Sequence, residues 1–298
     1  MLGLATLLLI GLVLACALGV RVTVRTLTRP PRRTYSWAVA RGKAGDPGEL
    51  FAPRAFREWS FASRGLLLPA WDLTGDDSTG PIVIVTHGWG DSRVTMLARA
   101  DMLARFASRV VLWDLPGHGD APGTCTLGAH EPEDLAALLA ALPASVPVVL
   151  YGYSLGAGVS IVVAGLPEGR SVAGVIAEAP YRVPATPAAA VLRQIGMPHR
   201  WNLPLALWWI GGGLGDRGFD RAVHAARVPA PLLVIHAGAD EICPIGDGES
   251  IAAAAPLGSL LRVPGGDHLG LWNNPETRTI VAEACGAFLR QNPRVRPS

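Results

Sequence analysis

Three side chains have the types and the chain order that acyl-transfer chemistry requires. Ser154 lies in the stretch GYSLG at 152–156, and Asp240 and His268 each follow an apolar run further along the chain. A serine hydroxyl is a weak nucleophile until a base takes its proton. A histidine can be that base, and a carboxylate fixes its tautomer and stabilises the imidazolium. The pattern therefore predicts Ser154 as nucleophile, His268 as base and Asp240 as the acid that orients it.

The glycines around Ser154 indicate a sharp turn. An apolar run, PVVLY, precedes the motif and a second apolar run follows it. Gly152 and Gly156 leave room that side chains would fill on a tight strand-to-helix turn. Such a turn lifts the serine hydroxyl out of the sheet and places the backbone N–H of Leu155 at a helix N-terminus. Partial positive charge there stabilises a developing oxyanion.

The elements that would position these residues alternate along the chain. Short apolar runs such as PIVIVTHG, RVVLWD and PLLVIHAG predict buried strands, and amphipathic or apolar helices separate them. An earlier segment, REWSFASRGLLLPAWDLTG, predicts a hairpin that turns at Gly65. This alternation of strands and helices predicts an α/β protein with a mostly parallel sheet and helices on both faces. Ligands of such sheets bind beyond the carboxyl ends of the strands, where the candidate residues fall.

These motifs together resemble the α/β-hydrolase fold family over roughly residues 55–290. The resemblance rests on HGWG at 87–90, WDLPGHG at 113–119, GYSLG, and the later Asp and His. Within the family the chain is similar to monoacylglycerol-lipase-like and serine-aminopeptidase-type hydrolases. The resemblance implies that the backbone N–H of Trp89, beside Gly88, is the second oxyanion donor. It also implies that His87 and Asp114 shape loops, and that a helical insert precedes the strand carrying the acid.

Rival residues for the base and the acid are less well placed. His118 lies in a glycine turn and precedes the serine, which is the wrong chain order for this family, and His87 adjoins the presumed oxyanion loop. Glu178 ends the strand before the insert, where some hydrolases carry their acid. We retain His268 as the base. We also retain Asp240 as the acid, because the turn GADEICP that contains it suits an acid after a strand better than the position of Glu178 does.

The segment between Glu178 and Pro231 predicts a small helical cap, assigned to 181–228, with Gly211-Gly212-Gly213 as a hinge. We expect it to form an apolar substrate pocket over the serine. The residues expected in that pocket are Tyr153, Tyr181, Trp201, Trp208 and Trp209. Two other interpretations stay open: ordinary packing against the sheet, and shallow contact of the Trp-rich face with a membrane.

The first residues predict a transmembrane helix. No charged side chain occurs from Leu2 to Val20, a stretch that as a helix reaches about 28 Å. Basic residues follow it, and basic flanks favour a cytoplasmic domain on a single-pass anchor. A cleaved signal peptide ending near Ala17 and a lipoprotein signal with Cys16 remain alternatives. The predicted organisation is an anchor at 1–24, a Pro/Arg-rich linker at 25–54, the hydrolase domain at 55–290 and a tail at 291–298.

Charge and cysteine usage narrow the function. The net charge is +2 and the bases are dispersed after residue 33, which does not indicate a nucleic-acid partner. The four cysteines have no CxxC spacing, so neither a disulfide framework nor a zinc site is predicted. The mechanism needs no metal or organic cofactor.

The sequence therefore predicts a membrane-anchored serine hydrolase of carboxylic, lipid-like acyl esters or thioesters. Its expected partners are a small-molecule or lipid substrate and a membrane, and the oligomeric state stays open. A serine aminopeptidase and an inactive protein that keeps the fold for binding are the alternatives.

Overall fold

A computed structural model describes residues 2–169, 171–211 and 219–295. The strands are β1 (Phe56–Ser63), β2 (Leu66–Thr74), β3 (Ile82–Thr86), β4 (Arg109–Trp113), β5 (Val148–Tyr153), β6 (Val172–Glu178), β7 (Leu232–Ala237) and β8 (Gly258–Val263). The described α-helices are α1 (Leu2–Thr28), α2 (Tyr35–Val39), α3 (Leu97–Ala104), α4 (Glu131–Ala140), α5 (Leu155–Ala164), α6 (Ala185–Gln194), α7 (Asn202–Ile210), α8 (Arg221–Ala225), α9 (Ile245–Ala254) and α10 (Pro275–Gln291).

One eight-stranded sheet organises the domain, in the order β1-β2-β4-β3-β5-β6-β7-β8. The hairpin β1–β2 and the pair β2–β4 are antiparallel, and every later pair is parallel. Arg64 and Gly65 both have positive φ at the hairpin turn, which two-residue turns of this kind require. The predicted fold class, a mostly parallel α/β sheet with helices on both faces, is confirmed.

Alternating side chains of the central strands pack in two separate hydrophobic cores, one on each face of the sheet. Ile82 and Ile84 of β3 belong to one core, and Val83 and Val85 belong to the other. Helices α4 and α5 cover the first face, while α3 and α10 cover the second. Because both faces are covered, β3 to β7 are apolar almost throughout, which explains why the strands read as continuous apolar runs.

Helix α1 has two unlike halves. From Gly3 to Leu18 its residues are exposed, whereas Thr23 and Leu27 in its second half are buried against the domain. The helix continues to Thr28, four residues beyond the expected anchor, because these later turns pack on α7. Within the described part of the chain, α1 is the helix whose length and apolar character suit a membrane span, with a mean hydropathy of 2.5. A signal sequence near an N-terminus has the same features.

The Pro/Arg-rich segment after α1 lies against the domain. Arg33 forms an ion pair with Asp91, and the Arg33 carbonyl accepts a hydrogen bond from the Ser92 hydroxyl. Arg32 donates to the carbonyls of Gly119 and Ala121 at 3.0 and 2.9 Å. Through these contacts, Arg32 and Arg33 of the predicted linker lie against the domain.

Candidate active site

Ser154 sits at the predicted strand-to-helix turn, between β5 and α5. Its φ of 51° and ψ of −110° are a strained conformation for a residue with a side chain. A Cβ at Gly152 would lie 2.2 Å from the Gly156 carbonyl oxygen, and one at Gly156 would lie 2.1 Å from that of Thr86. The turn therefore closes only with glycine on both sides of the serine, as the sequence predicts.

The three candidate side chains meet at the carboxyl ends of β5, β7 and β8. The Nδ1 atom of His268 lies 2.7 Å from Oδ2 of Asp240, and its Nε2 atom lies 3.2 Å from the Ser154 hydroxyl oxygen. An ionised carboxylate only accepts hydrogen bonds, so we assign the imidazole proton to Nδ1. Nε2 then presents a lone pair to the serine hydroxyl, which is the geometry of a general base.

Asp240 is buried and held by backbone donors. Its Oδ1 atom accepts hydrogen bonds from the backbone N–H of Ile242 at 2.9 Å and of Cys243 at 2.7 Å. The histidine loop is held separately, because the Tyr153 hydroxyl donates to the His268 carbonyl at 2.8 Å. Asp240 and His268 thus each have a fixed orientation that does not depend on a substrate.

The loop after β3 brings Gly88 and Trp89 against Ser154. A Cβ at Gly88 would lie 3.0 Å from the Tyr153 ring and 3.3 Å from the Cβ of Ser154, so the loop passes so close to the serine that a larger residue would be crowded there. Trp89 is half-buried and lines the same cavity as Ser154, while Leu155 begins α5. The indole N–H of Trp89 donates to the Leu27 carbonyl at 2.8 Å, and this hydrogen bond connects the loop to the last turn of α1.

His87, His118 and Asp114 support loops around the site. The Nε2 atom of His87 accepts from the backbone N–H of Leu115 at 3.0 Å, and Nδ1 lies 2.8 Å from the Gly88 carbonyl. Burial lowers the pKa of His87 to about 4 and that of His118 to about 3, so both are neutral at pH 7. Asp114 accepts from two backbone N–H groups, and burial raises its pKa to about 6.

Glu178, the rival acid, is engaged elsewhere. Arg99 binds it with two hydrogen bonds of 2.8 and 2.6 Å, and the Tyr151 hydroxyl and the Trp272 indole also donate to it. Burial opposes ionisation of Glu178, but the charge and hydrogen bonds of Arg99 outweigh it and hold its pKa below the usual range. The structure brings Asp240, and not Glu178, to the histidine.

A cavity of about 640 Å³ lies beside Ser154 and has two unlike sides. One side is polar and carries His268, Asp267, Glu241 and the Arg33–Asp91 ion pair. The other side is apolar and continues into a narrow recess at Ser154. The apolar lining consists of Leu27, Trp89, Leu127, Leu155, Tyr181, Pro184, Pro187, Ala188 and Val191.

The cap contributes to this cavity through α6, not through the tryptophans. Tyr153 and Tyr181 line it as expected, but Trp201, Trp208 and Trp209 are not among its lining residues. This corrects the expectation, and the reason is the orientation of α7: its Asn202 and Ala206 face inward, so the tryptophans face away. Helix α7 ends at Ile210 with Gly211 as its C-cap, while Gly212 and Gly213 of the expected hinge lie outside the described residues.

Sequence reasoning missed several residues of the site. Leu27 and Val191 line the cavity from helices that carry no motif. His236, at the end of β7, lies behind the acid, with Nε2 2.7 Å from the Cys243 carbonyl and 3.6 Å from Asp240. The available signal was its place at a strand end, shortly before the motif GAD.

Asp240, Cys243 and His268 have ligand atoms within 4.8 Å of one another, and are the group of this kind found among the described residues. Two of the three already bind each other. Burial raises the pKa of the Cys243 thiol well above its usual range.

The chain belongs to the α/β-hydrolase superfamily. Residues 77–211 match a family model described as serine aminopeptidase, S33. An uncharacterized protein of Mycobacterium tuberculosis is 30% identical over 237 residues, which is 76% of this chain and 76% of that protein. This membership supports a hydrolase as the class of enzyme.

Solved structures share the fold at low identity. An esterase of Pyrococcus furiosus has a TM-score of 0.69 and 18% identity, and the match covers 88% of this chain and 99% of that one. A membrane phospholipase A described as a bacterial virulence factor has a TM-score of 0.61 and 18% identity, covering 82% of this chain and 87% of that one.

Proposed function

We propose that this protein is a membrane-anchored serine hydrolase that cleaves carboxylic esters or thioesters through an acyl-enzyme on Ser154. The observation that carries the proposal is the continuous line of contacts from Asp240 through His268 to Ser154 on a strained turn. Strained backbone at one serine, with a base and a buried acid aligned on it, is typical of a functional site.

In the proposed reaction, Ser154 attacks the acyl carbon while Nε2 of His268 takes the hydroxyl proton. The backbone N–H groups of Leu155 and Trp89 stabilise the oxyanion of the tetrahedral intermediate. His268 then gives the proton to the leaving group, and the acyl-enzyme forms. Water activated by the same histidine cleaves it, and Asp240 stabilises the imidazolium in both halves.

The two sides of the cavity support a lipid-like substrate. The apolar recess at Leu27 and Tyr181 has a volume of only about 30 Å³, so it suits the first carbons of an acyl group at Ser154. The adjoining cavity of about 640 Å³ would take the rest of the chain and, on the side with Arg33 and Glu241, a polar alcohol or thiol part. The exposed apolar half of α1 would hold the enzyme at the bilayer where such substrates occur. A phospholipase A is one of the proteins that share the fold.

We place the domain on the cytoplasmic side, because Arg21, Arg25 and Arg29 follow the apolar half of α1. Carbonate washing of membranes should leave the full chain in the pellet, and protease added to intact cells should leave the domain uncut. Release by carbonate would instead favour the cleaved signal peptide, and a domain that stays in the pellet but is cut by external protease would favour the lipoprotein.

A serine aminopeptidase is the second candidate. An aminopeptidase needs carboxylates to bind the substrate's ammonium group, and Glu241 and Asp267 both line the open side of the cavity. The matching family model has that description as well. Hydrolysis of aminoacyl p-nitroanilides without hydrolysis of esters would select this candidate.

The test uses the full chain in detergent with p-nitrophenyl esters of two to sixteen carbons. A fragment beginning at residue 30 is unsuitable, since it would lack Leu27 and its bond to Trp89. We expect activity that Ser154→Ala removes and that Ser160→Ala retains. Ser160 is a buried serine on α5 whose hydroxyl has no hydrogen-bond partner among the described residues, which makes it a matched control.

Labelling with a fluorophosphonate tests the inactive alternative. Wild-type and Ser160→Ala proteins should be labelled, and Ser154→Ala should not. A folded wild-type protein that is neither labelled nor active on any ester or anilide would overturn the proposal and favour a binding protein.

A further inference from the structure

Helix α7 presents an apolar face that the described part of the protein does not cover. Trp201, Leu205, Trp208 and Trp209 follow helical spacing and lie on one side of α7. Their exposed fractions are 47%, 55%, 61% and 69%. Three tryptophans and a leucine exposed together on one helix form a patch of the kind that marks an interaction site.

Contacts at the N-terminal end of α7 fix the helix beside α1. The Asn202 amide donates to the Thr23 hydroxyl at 2.5 Å, in a buried contact. The Trp201 ring lies over Gly19, where a Cβ would come within 2.6 Å of it. The exposed face therefore has a fixed direction relative to α1.

The position of these contacts along α1 indicates which environment surrounds the exposed patch of α7. Gly19 and Thr23 lie where the exposed apolar half of α1 ends and Arg21 and Arg25 begin. If α1 spans a bilayer, this is the depth of the headgroups and upper acyl chains. Tryptophan is enriched at that depth, because its ring is apolar and its N–H is polar.

We propose that the exposed apolar face of α7 lies in the interfacial layer of a phospholipid bilayer. This face would be a second membrane contact beside the exposed half of α1. The proposal rests on the anchoring role of α1 in the proposed function. It names the bilayer as occupant because the patch continues the exposed surface of a helix apolar enough to span one. Arg21, Arg25 and Arg200 are exposed next to this surface and suit anionic headgroups.

Depth-dependent quenching tests the proposal on the full chain in vesicles of phosphatidylcholine and phosphatidylglycerol. Trp208→Cys in a Cys16→Ala background is labelled with a fluorophore, and the other three cysteines are buried. Lipids carry a nitroxide near the headgroup or deep in the acyl chain. Leu257→Cys is the matched control: Leu257 is 53% exposed but precedes β8, at the opposite end of the sheet from the site.

We expect the label at 208 to be quenched at least threefold more than that at 257, and more by the shallow nitroxide than by the deep one. Equal, weak quenching at 208 and 257 would overturn the proposal. Shielding of 208 from both lipid nitroxides and aqueous iodide would also overturn it, and would indicate a second copy of the chain on this face.

A label at Ile10→Cys separates this inference from the anchor. Deep quenching at 10 without quenching at 208 would leave the anchor in place and reject the contact by α7. Absence of quenching at both positions would reject the anchor and the inference together. The readout is independent of ester hydrolysis, so an inactive protein would not affect it.

Discussion

The polar and the apolar side of the Ser154 cavity are built in different ways. Loops that directly follow strands form the polar side, and hydrogen bonds of 2.7 to 3.2 Å fix Asp240, His268 and Ser154 there. Helices α1 and α6 contribute Leu27 and Val191 to the apolar side, where these aliphatic side chains make only van der Waals contacts. Hydrogen bonds depend steeply on distance and angle, whereas apolar packing tolerates changes of shape. We expect the polar side to decide whether the reaction occurs and the apolar side to decide which acyl group is accepted.

The largest effect should come from the acid of the polar side. Asp240→Asn keeps the shape but loses the charge that holds the His268 tautomer, so kcat should fall by about three to four orders of magnitude. Asp267→Asn is the matched control, because Asp267 lines the same cavity and accepts from the Leu269 backbone N–H, but does not contact the imidazole. Its kcat should stay within about threefold. Steady-state assays with one ester measure both, and equal losses would remove the assignment of Asp240.

The buried pair behind the polar side should govern stability instead of chemistry. Arg99→Met leaves the Glu178 carboxylate buried without its cation, and should lower the free energy of unfolding by about 3–5 kcal/mol. Adding Glu178→Gln removes the unpaired charge, so the double variant should recover most of that loss and keep its kcat. Urea unfolding in detergent and an ester assay test this. A double variant that is stable but inactive would make Glu178 part of the chemistry.

Acid should destabilise the loops beneath the polar side. Between pH 6 and 4, unfolding lets His87 and His118 bind two protons, since their folded pKa values of about 4 and 3 lie below the ordinary 6.5. Unfolding also releases one proton from Asp114, whose folded pKa is about 6 against an ordinary 3.8. From these three groups the net uptake is about one proton, so they should lower the free energy of unfolding by about 1.4 kcal/mol for each pH unit that the pH is lowered. His236, whose pKa is also lowered by burial, acts in the same direction.

The matched variant for this pH dependence is His118→Gln, which removes one of the two proton-binding groups and should flatten the slope between pH 6 and 4. Thermal unfolding at four pH values measures it. Parallel curves for the wild type and the variant would contradict the pKa assigned to His118.

The smallest effect should come from the apolar side. Leu27→Ala enlarges the recess, so kcat/KM should shift toward longer acyl chains by about tenfold. Leu18→Ala, on the exposed half of α1, and Trp208→Ala, which faces away from the cavity, should leave the chain-length profile unchanged. A profile altered by Trp208→Ala but not by Leu27→Ala would make α7, and not α6, the helix that selects the acyl chain.

The contrast between the two sides also decided what the sequence could predict. Ser154, Asp240 and His268 each follow an apolar strand, and a local pattern of a few residues is enough to place them. Leu27 and Val191 enter the cavity through contacts such as Thr23 with Asn202, which are 179 positions apart in the chain. No local pattern encodes such a contact. Helix α7 is apolar on every side, so its composition did not show that the tryptophans face outward.

If α1 is the proposed membrane anchor, its division at Gly19 separates the anchoring segment from the part that packs at the site. The exposed apolar half ends just after the stretch Ala15-Cys16-Ala17, and the buried positions of α1 within the described chain, Thr23 and Leu27, both come later. A proteolytic cut after Ala17 would remove the exposed apolar half of α1 and leave Thr23, Leu27 and the hydrogen bond from Trp89 to the Leu27 carbonyl in place. The proposed contact of α7 would then be what still holds the protein at a bilayer. In the proposed enzyme, the end of the membrane span would therefore coincide with a boundary in the packing of α1, and a cut there would leave the wall of the cavity complete.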